Sequence, residues 1–308
     1  MTDLNTKATG AQTNIEATGA LNNAKASGLH NKRRTGILAM VAASICFSTG
    51  GLLIKLIPWN PLAINGARTL IAGLVIGLYL IITKHPLKFN RIVFVGALCM
   101  AGVTTFFTIA NKLTTAGNAI LLQYTAPIWI IILLAVLFGV RPGKVEIITI
   151  VTVLIGIACF FVDSLSAGGL MGDLFALLAG ICYAGVFMLN QFEEGDALSS
   201  MFFGQLSCGL VFFPMVMRET VFDARIWGCI ILLGTVQVGL AYILFSIGTK
   251  YTDPVTSSVI NAMEPILNPV LVAVFYGEHL GKPALIGAVI VLCGILFYQS
   301  QERTRTGS

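Results

Sequence analysis

The sequence predicts an all-α membrane protein of ten transmembrane helices, arranged as two inverted five-helix repeats. Three observations predict it: apolar runs of spanning length, scarcity of charge, and similarity between the two halves of the chain at a nearly constant offset. Hydrophobic residues make up 56% of the chain and charged residues 11%, against about 25% charged in average soluble domains, and the mean hydropathy is +0.87. A soluble fold has no means of hiding that much apolar surface.

From Thr35 onward the apolar runs cover roughly 36–56, 61–83, 91–111, 117–139, 144–162, 172–190, 197–217, 226–249, 255–276 and 281–299. Each is close to the ~20 residues that a helix needs to cross ~30 Å of hydrocarbon. The connections are short and leave no room for a soluble domain between spans. Residues 1–34 are rich in Thr, Ala, Asn, Gly and Lys and contain no aromatic residue. Such a composition does not offset the entropy of ordering, so a disordered cytoplasmic tail is expected there. The first apolar run begins late and is as long as a full span, which predicts an uncleaved anchor and not a signal peptide. The domain organisation expected is therefore a tail over 1–34, a first repeat over 35–163 and a second over 172–300.

Lys and Arg alternate between the two sides of this arrangement. Lys7, Lys25, Lys32, Arg33, Arg34, Lys84, Lys88, Arg91, Arg141, Lys144, Lys250, Arg303 and Arg305 fall on one side, thirteen of the 19. Lys112, Arg218, Arg225 and Lys282 fall on the other, and Lys55 and Arg68 lie within spans. The positive-inside rule then predicts a multi-pass protein of the cell membrane with both termini cytoplasmic. The acidic connection Phe192 to Asp196 is expected on the cytoplasmic side and runs against the pattern, although the rule counts only Lys and Arg.

Internal similarity sets the architecture. At an offset of 138 residues Pro127 meets Pro265, Ala135 meets Ala273, Gly139 meets Gly277 and Gly156 meets Gly294. At an offset of 136, Gly36, Leu38, Ala43 and Cys46 meet Gly172, Leu174, Ala179 and Cys182. Five spans per repeat is an odd number, so the second repeat must run through the membrane in the opposite sense, as in many secondary transporters.

The chemistry-bearing residue types exclude several classes. All seven cysteines lie in spans or at their edges without C-x-x-C spacing, and read as small packing residues. His30, His85 and His279 fall in the tail or in connections, so no His cluster is placed to bind a metal, and no cofactor is implied. Gly139-x-x-x-Gly143-Lys144 is one residue short of a phosphate-binding loop and has Val145 in place of its hydroxyl, so transport powered by ATP hydrolysis is not expected. The net charge of +5 is distributed by topology and indicates no nucleic-acid partner.

Polar residues inside the spans are the informative ones. Ser257, Asn261, Glu264 and Asn268 recur at helical spacing on one face of the ninth span. Facing lipid, an acid alone would cost about 2.5–3.5 kcal/mol by insertion scales, so the stripe is expected to face the protein interior or a cavity. Pro127 and Pro265 interrupt corresponding helices, and each frees a carbonyl one turn earlier. Paired interruptions point to a transporter's binding site. Weaker stripes are Ser44, Ser48 and Lys55; Thr104, Thr108 and Asn111; and Tyr242, Ser246 and Thr249. Gln123 is the counterpart of Asn261, and Gln237 lies deep in the eighth span. Phe47, Trp129, Tyr183, Phe187 and Tyr242 offer aromatic surface for a substrate, or packing. Arg68 and Glu264 lie at similar depths, so a structural ion pair between them is expected to compete with a substrate-anion site at Arg68 and a proton site at Glu264. Lys55 is expected to snorkel to the outer surface, and Gly73-x-x-x-Gly77 to mark close helix contact.

These residues resemble the EamA-type ten-helix members of the drug/metabolite transporter superfamily. The similarity extends from Thr35 to Gln299 and is most specific over Leu233 to Phe297, through Ala241-Tyr242, Glu264-Pro265, Gly277-Glu278, Gly287 and Gly294. In the first half Phe47 with Lys55, Pro61 with Arg68, and Pro127 match more weakly. Two positions depart from the pattern: Phe47 stands where the family usually has Trp, and Val140 stands opposite Glu278. The resemblance implies a central cavity lined from both halves, with the fifth and tenth spans at the periphery.

The reading that follows is a secondary transporter, an exporter or exchanger of small metabolites, amino acids or related compounds among them. Its expected partners are a small-molecule substrate and the lipid bilayer, with the oligomeric state unassigned. Candidate cavity residues are Phe47, Ser48, Thr108, Gln123, Trp129, Tyr183, Phe187, Gln237, Tyr242, Asn261 and Glu264. Arg68, Glu264, Pro127 and Pro265 are structural or coupling candidates. The alternatives are a polytopic membrane enzyme, which calls for a His, Asp or Glu cluster near one face, and a membrane scaffold or receptor, which calls for a large soluble domain; the sequence has neither feature.

Overall fold

The computed structural model describes residues 32–139, 141–167, 169–189, 192–221, 223–252, 260–261 and 263–306. The tail residues 1–31, together with Val140 and Ser257, lie outside the described residues. All regular structure among the described residues is helical, in ten successive elements. These are α1 (Lys32–Leu56), α2 (Pro61–Thr83), α3 (Arg91–Leu113), α4 (Ala116–Phe138) and α5 (Lys144–Ala167). The second half contributes α6 (Leu170–Leu189), α7 (Ala197–Val216), α8 (Ala224–Tyr251), α9 (Glu264–Tyr276) and α10 (Lys282–Thr306). Among the described residues 8 helices are long and apolar enough to cross a bilayer, and Glu264–Tyr276 and Lys282–Tyr298 are shorter apolar helices.

The helices begin where a polar side chain can take the unpaired N–H groups of a first turn. Asn60, Asn90, Thr115, Asp196 and Asp223 accept from the backbone N–H of Leu62, Val93, Asn118, Ser199 and Ile226. α4 and α9 end alike on Gly139 (φ 65°) and Gly277 (φ 75°), the left-handed conformation that only a residue without Cβ adopts freely. These two glycines are counterparts at the offset of 138.

Packing is symmetric between the halves. α2 packs along α7, α5 along α10, and α3 along α6. The contacts are reciprocal in sequence: a Cβ on Gly73 would lie 3.2 Å from the Leu206 backbone, and one on Gly209 2.6 Å from that of Leu70. In the same way Gly156 meets Val291 while Gly294 meets Val153, and Gly36 meets Thr252 while Gly172 meets Thr114. Each pair maps onto the other at the repeat offsets, which is what a two-fold relation between inverted repeats requires. Close approach at small residues, and not hydrophobic expulsion into a solvent of equal apolarity, holds such helices together. Gly73-x-x-x-Gly77 takes part, with Gly73 against Leu206 and Gly77 against Phe202 of α7.

The connections sort onto two faces. On one, the α2–α3 connection meets the acidic α6–α7 connection: Lys88 Nζ donates to the carbonyls of Glu193 and Gly195, Asn90 Nδ2 to that of Glu194, and His85 Nε2 lies 3.1 Å from the Asp196 carboxylate. The acidic run thus sits against a basic neighbour, which accounts for its place on a Lys/Arg-rich side. On the other face Trp59 Nε1 donates to the Val221 carbonyl and the Asn60 N–H to Glu219.

Lys55 does not snorkel to the outer surface. Its Nζ lies 2.7 Å from Glu278 Oε2 and donates to the Thr114 carbonyl at 2.8 Å, while Glu278 Oε1 accepts the Ala116 N–H at 2.6 Å. A carboxylate just past α9 and a carbonyl just past α3 are both within its reach, so pairing replaces solvation. Lys112, nearby, donates to the Ile57 carbonyl.

Replacing Gly209 with Val should lower stability by about 1–3 kcal/mol, because the added carbons have only the Leu70 backbone to move. Gly228→Ala, with nothing within 4 Å of its Cβ, serves as the control and should leave the melting temperature of the purified protein unchanged.

Candidate functional site

Four helices lose regularity around one point. α1 turns at Thr49, whose N–H reaches back only to Cys46. α4 breaks at Tyr124 and Thr125, between Ala116–Gln123 and Ala126–Phe138. The ninth span is helical at 260–261, turns at Met263 and resumes at Glu264. α8 widens to a π-helix over Leu233–Leu240. Phe47, Gln123, Gln237 and Glu264 sit on or beside these irregular points, and all four line a single cavity with Arg68, Val103, Thr104, Phe107, Tyr183, Val238 and Tyr242.

Pro127 and Pro265 act at helix starts, in contrast to Pro214 and Pro269, which lie within helices. Pro127 and Pro265 each occupy the first turn of the second segment, where a missing N–H costs nothing. The carbonyls they leave free, one turn earlier, are those of Gln123 and Asn261. Gly180 of α6 packs against the first, its would-be Cβ 3.1 Å from the Gln123 oxygen. The second lies 3.0 Å from the Tyr124 hydroxyl oxygen, which is also 2.7 Å from Glu264 Oε2. Tyr124 therefore ties the two helix breaks together, one from each repeat. Thr125 closes its own break by donating to the Leu122 carbonyl at 2.6 Å while accepting from Trp129 Nε1 at 3.1 Å.

Arg68 is 1% exposed, and among the described residues no carboxylate lies within 4.0 Å of it. The expected Arg68–Glu264 ion pair is not formed. Arg68 donates from Nη1 to Gln237 Oε1 at 3.2 Å, and from Nη2 to the Thr104 carbonyl at 3.0 Å and to Thr108 Oγ1 at 2.7 Å. Asn65 Oδ1 accepts from Nε and Nη2 at 3.4 and 3.3 Å. Depth in the membrane does not fix direction around a helix axis: Arg68 turns into the junction of α2, α3 and α8, and Glu264 turns to Tyr124 on α4. The site thus holds two buried groups of opposite charge type on one cavity without mutual contact.

The candidate residues divide accordingly. Phe47, Arg68, Gln123, Tyr183, Gln237, Tyr242 and Glu264 converge on the cavity, with Phe47 edge-on to Tyr242 at 5.0 Å between ring centres. Thr108 stands behind Arg68 as an acceptor, and Phe187 packs against Tyr183 with ring centres 4.7 Å apart and planes tilted by 51°. Trp129 supports the α4 break, Asn261 contributes its backbone carbonyl, and Ser48 is buried with its hydroxyl donating to the Ser44 carbonyl. Asn65 and Tyr124 are site residues that sequence reasoning misses. Asn65 carries a signal, three residues before Arg68 on the same helix face; Tyr124 stands in an apolar run and reads there as packing.

The cavity measures about 30 Å³, room for a water molecule but far below the 300–1,000 Å³ typical of ligand pockets. The cavity is thus contracted relative to ligand pockets of that kind. A larger crevice of about 260 Å³ lies between α4, α9 and the start of α10; its walls are mainly apolar, including Pro269, Val270, Val272, Leu280 and Leu285, with Thr115, Glu278 and His279 as their polar members.

An all-helical membrane fold of two inverted repeats, with its irregular backbone and buried polar groups gathered at the centre, defines a membrane transporter. The chain matches the EamA-like transporter family twice, over residues 34–162 and 170–299, and belongs to that family, part of the drug/metabolite transporter superfamily. It is similar to an uncharacterized transporter of Archaeoglobus fulgidus, 29% identical over 205 residues that span 63% of this chain and 73% of the relative. A protein of known crystal structure, 20% identical, superposes with a TM-score of 0.60 over 86% of this chain and 97% of its own, and shares the fold.

Gln123→Trp should cut transport on the order of tenfold or more while sparing abundance, because the indole would fill the cavity where the polar groups converge and displace them from a substrate. Phe187→Leu, which does not line the cavity, should retain most activity in the same proteoliposome assay.

Proposed function

We propose that the protein is a secondary transporter, an exporter or exchanger, that moves amino acids or related small zwitterions across the cell membrane by alternating access at the central cavity. The observation that carries this reading is the pair of buried, mutually unpaired groups, Arg68 and Glu264, on one small aromatic-walled cavity. A guanidinium recognises a carboxylate through parallel N–H donors, and its neutral partners here can be exchanged for an anion without breaking an ion pair. Glu264 offers the complementary charge to an ammonium group. Tyr183, Tyr242 and Phe47 supply aromatic faces to the remainder of such a molecule and to its cation. A zwitterion neutralises both groups at once, which neither a simple anion nor a simple amine does.

The contracted cavity supports a transport cycle in which the site must widen to one side at a time. The helix breaks in α4 and the ninth span supply the places where half-helices can move without unsatisfying regular backbone. With no phosphate-binding loop in the sequence, an ion or substrate gradient is the source of work.

Counterflow in proteoliposomes tests the substrate class. Labelled amino acids should exchange, whereas the matching monocarboxylates and amines should exchange at least about tenfold more slowly, a difference of about 1.4 kcal/mol in transition-state binding. Arg68→Gln should abolish discrimination in favour of the carboxylate. Exchange of uncharged sugars by the wild type, untouched in Arg68→Gln and Glu264→Gln, would exclude the reading.

Orientation has its own test. Cysteines placed before Thr35 and after Gln299, in a background without native cysteines, should resist an impermeant thiol reagent applied outside intact cells. Labelling at either end would reverse the proposed topology.

A further inference from the structure

We propose that Tyr124 is a positioning residue that reads the protonation of Glu264: a proton on Glu264 completes a hydrogen-bond chain from its carboxyl group through the Tyr124 hydroxyl to the Asn261 carbonyl, and thereby holds the two helix breaks together.

The argument is a count of protons. Tyr124 Oη lies within hydrogen-bond distance of two oxygens, the Asn261 carbonyl at 3.0 Å and Glu264 Oε2 at 2.7 Å. A phenol has one proton to donate, and an ionised carboxylate and a carbonyl have none. With Glu264 ionised, one proton must serve both contacts. Either the Asn261 carbonyl, already deprived of its helical partner by Pro265, is left unpaired, or two lone-pair oxygens face each other at hydrogen-bond distance. With Glu264 protonated, its O–H donates to Tyr124 Oη and the Tyr124 O–H donates to Asn261. Both contacts then hold and the freed carbonyl is satisfied, so the contracted geometry is that of the protonated site.

The surroundings fit a group that changes charge. Besides Tyr124 from α4, the titratable groups facing this point are Tyr183 from α6, Tyr242 from α8 and Arg68 from α2, all on the same cavity wall. α1 contributes Lys55, which is committed to Glu278 at the helix end. None of these groups contacts the Glu264 carboxyl within hydrogen-bond or ion-pair distance among the described interactions, so Tyr124 alone transmits its state. The link has no counterpart in the other half: at the repeat offset Tyr124 corresponds to Ala262 and Glu264 to Ala126.

This deepens the transport reading and rests on it for its consequence. A proton and the ammonium group of a substrate compete for one carboxylate. Loss of the proton to one aqueous side turns the Tyr124 hydroxyl to the carboxylate alone and releases the Asn261 carbonyl, which loosens the ninth-span break and frees the cavity to widen and accept the substrate. Return of the proton contracts it again, giving antiport of proton and substrate.

Infrared spectroscopy of the reconstituted protein, titrated with protons alone, tests the chain without any knowledge of the substrate. The wild type should show a hydrogen-bonded carboxylic-acid C=O band that appears as the pH falls and is lost in Glu264→Gln. In Tyr124→Phe that band should shift to higher frequency and its titration midpoint should move. An unshifted band and midpoint in Tyr124→Phe would overturn the proposal, as would the absence of any acid band lost in Glu264→Gln. Should Tyr124→Phe fail to fold, the wild-type band still decides: a frequency typical of a free acid excludes the chain. Because no substrate is present, failure of the zwitterion reading leaves this result intact.

Discussion

Inside hydrocarbon no water is at hand to satisfy a backbone N–H or C=O, and the form of this protein follows from that constraint. Regular helix meets it along most of the described residues. The exceptions in α1, α4, α8 and the ninth span converge on the interior, where side chains take over part of the work of the missing backbone bonds and neighbouring helices pack closely over the breaks. Gly180 brings α6 against one freed carbonyl, Tyr124 reaches the other, and Thr125 with Trp129 closes the α4 break. The irregular points in α1, α4, α8 and the ninth span each place a side chain on the wall of the central cavity, Phe47, Gln123, Gln237 and Glu264 in turn.

The packing obeys the two-fold relation, and the chemistry departs from it. Gly73 with Leu206 and Gly209 with Leu70 are the same contact seen from the two repeats. Arg68, Tyr124 and Glu264 have no such twins; at the repeat offsets their counterparts are Gly204, Ala262 and Ala126. In the proposed transport of zwitterions, the equivalent backbones serve an exchange of roles between the halves, and the unequal side chains serve to distinguish the two ends of the substrate.

Much of this is legible in the sequence. Helix bounds follow from apolar runs ended by Asn60, Asn90, Asp196 and Asp223, because a polar cap and a change of hydropathy coincide at a membrane surface. The convergence of Phe47, Gln123, Gln237, Tyr242 and Glu264 can be anticipated because polar and aromatic residues at helical spacing have few other places to go. Direction around a helix axis is not legible, and with it goes the Arg68–Glu264 pair. The π-helix over Leu233–Leu240 leaves no periodic trace, since a single extra residue per turn within one short stretch does not disturb an apolar average. Lys55 escapes for a related reason: its partner Glu278 lies in a connection, and spacing along one helix carries no information about what a distant loop brings near.

The cluster of Lys55, Glu278 and the ends of α3 and α4 carries a consequence for the balance of the whole molecule. Thr114 and Asn118 continue it by donating to Asp173 at the start of α6, so five helices are cross-linked at one mouth by charge and hydrogen bonds. In the sequence, the repeat offsets set Gln191 opposite Lys55, Val140 opposite Glu278 and Ile37 opposite Asp173. Two doors of similar shape therefore carry unequal locks. Parting the first separates the Lys55–Glu278 pair and its bonds to Thr114 and Ala116, whereas parting the second separates His85 from Asp196 and Lys88 from two backbone carbonyls, so each end of the bundle is closed by its own set of bonds.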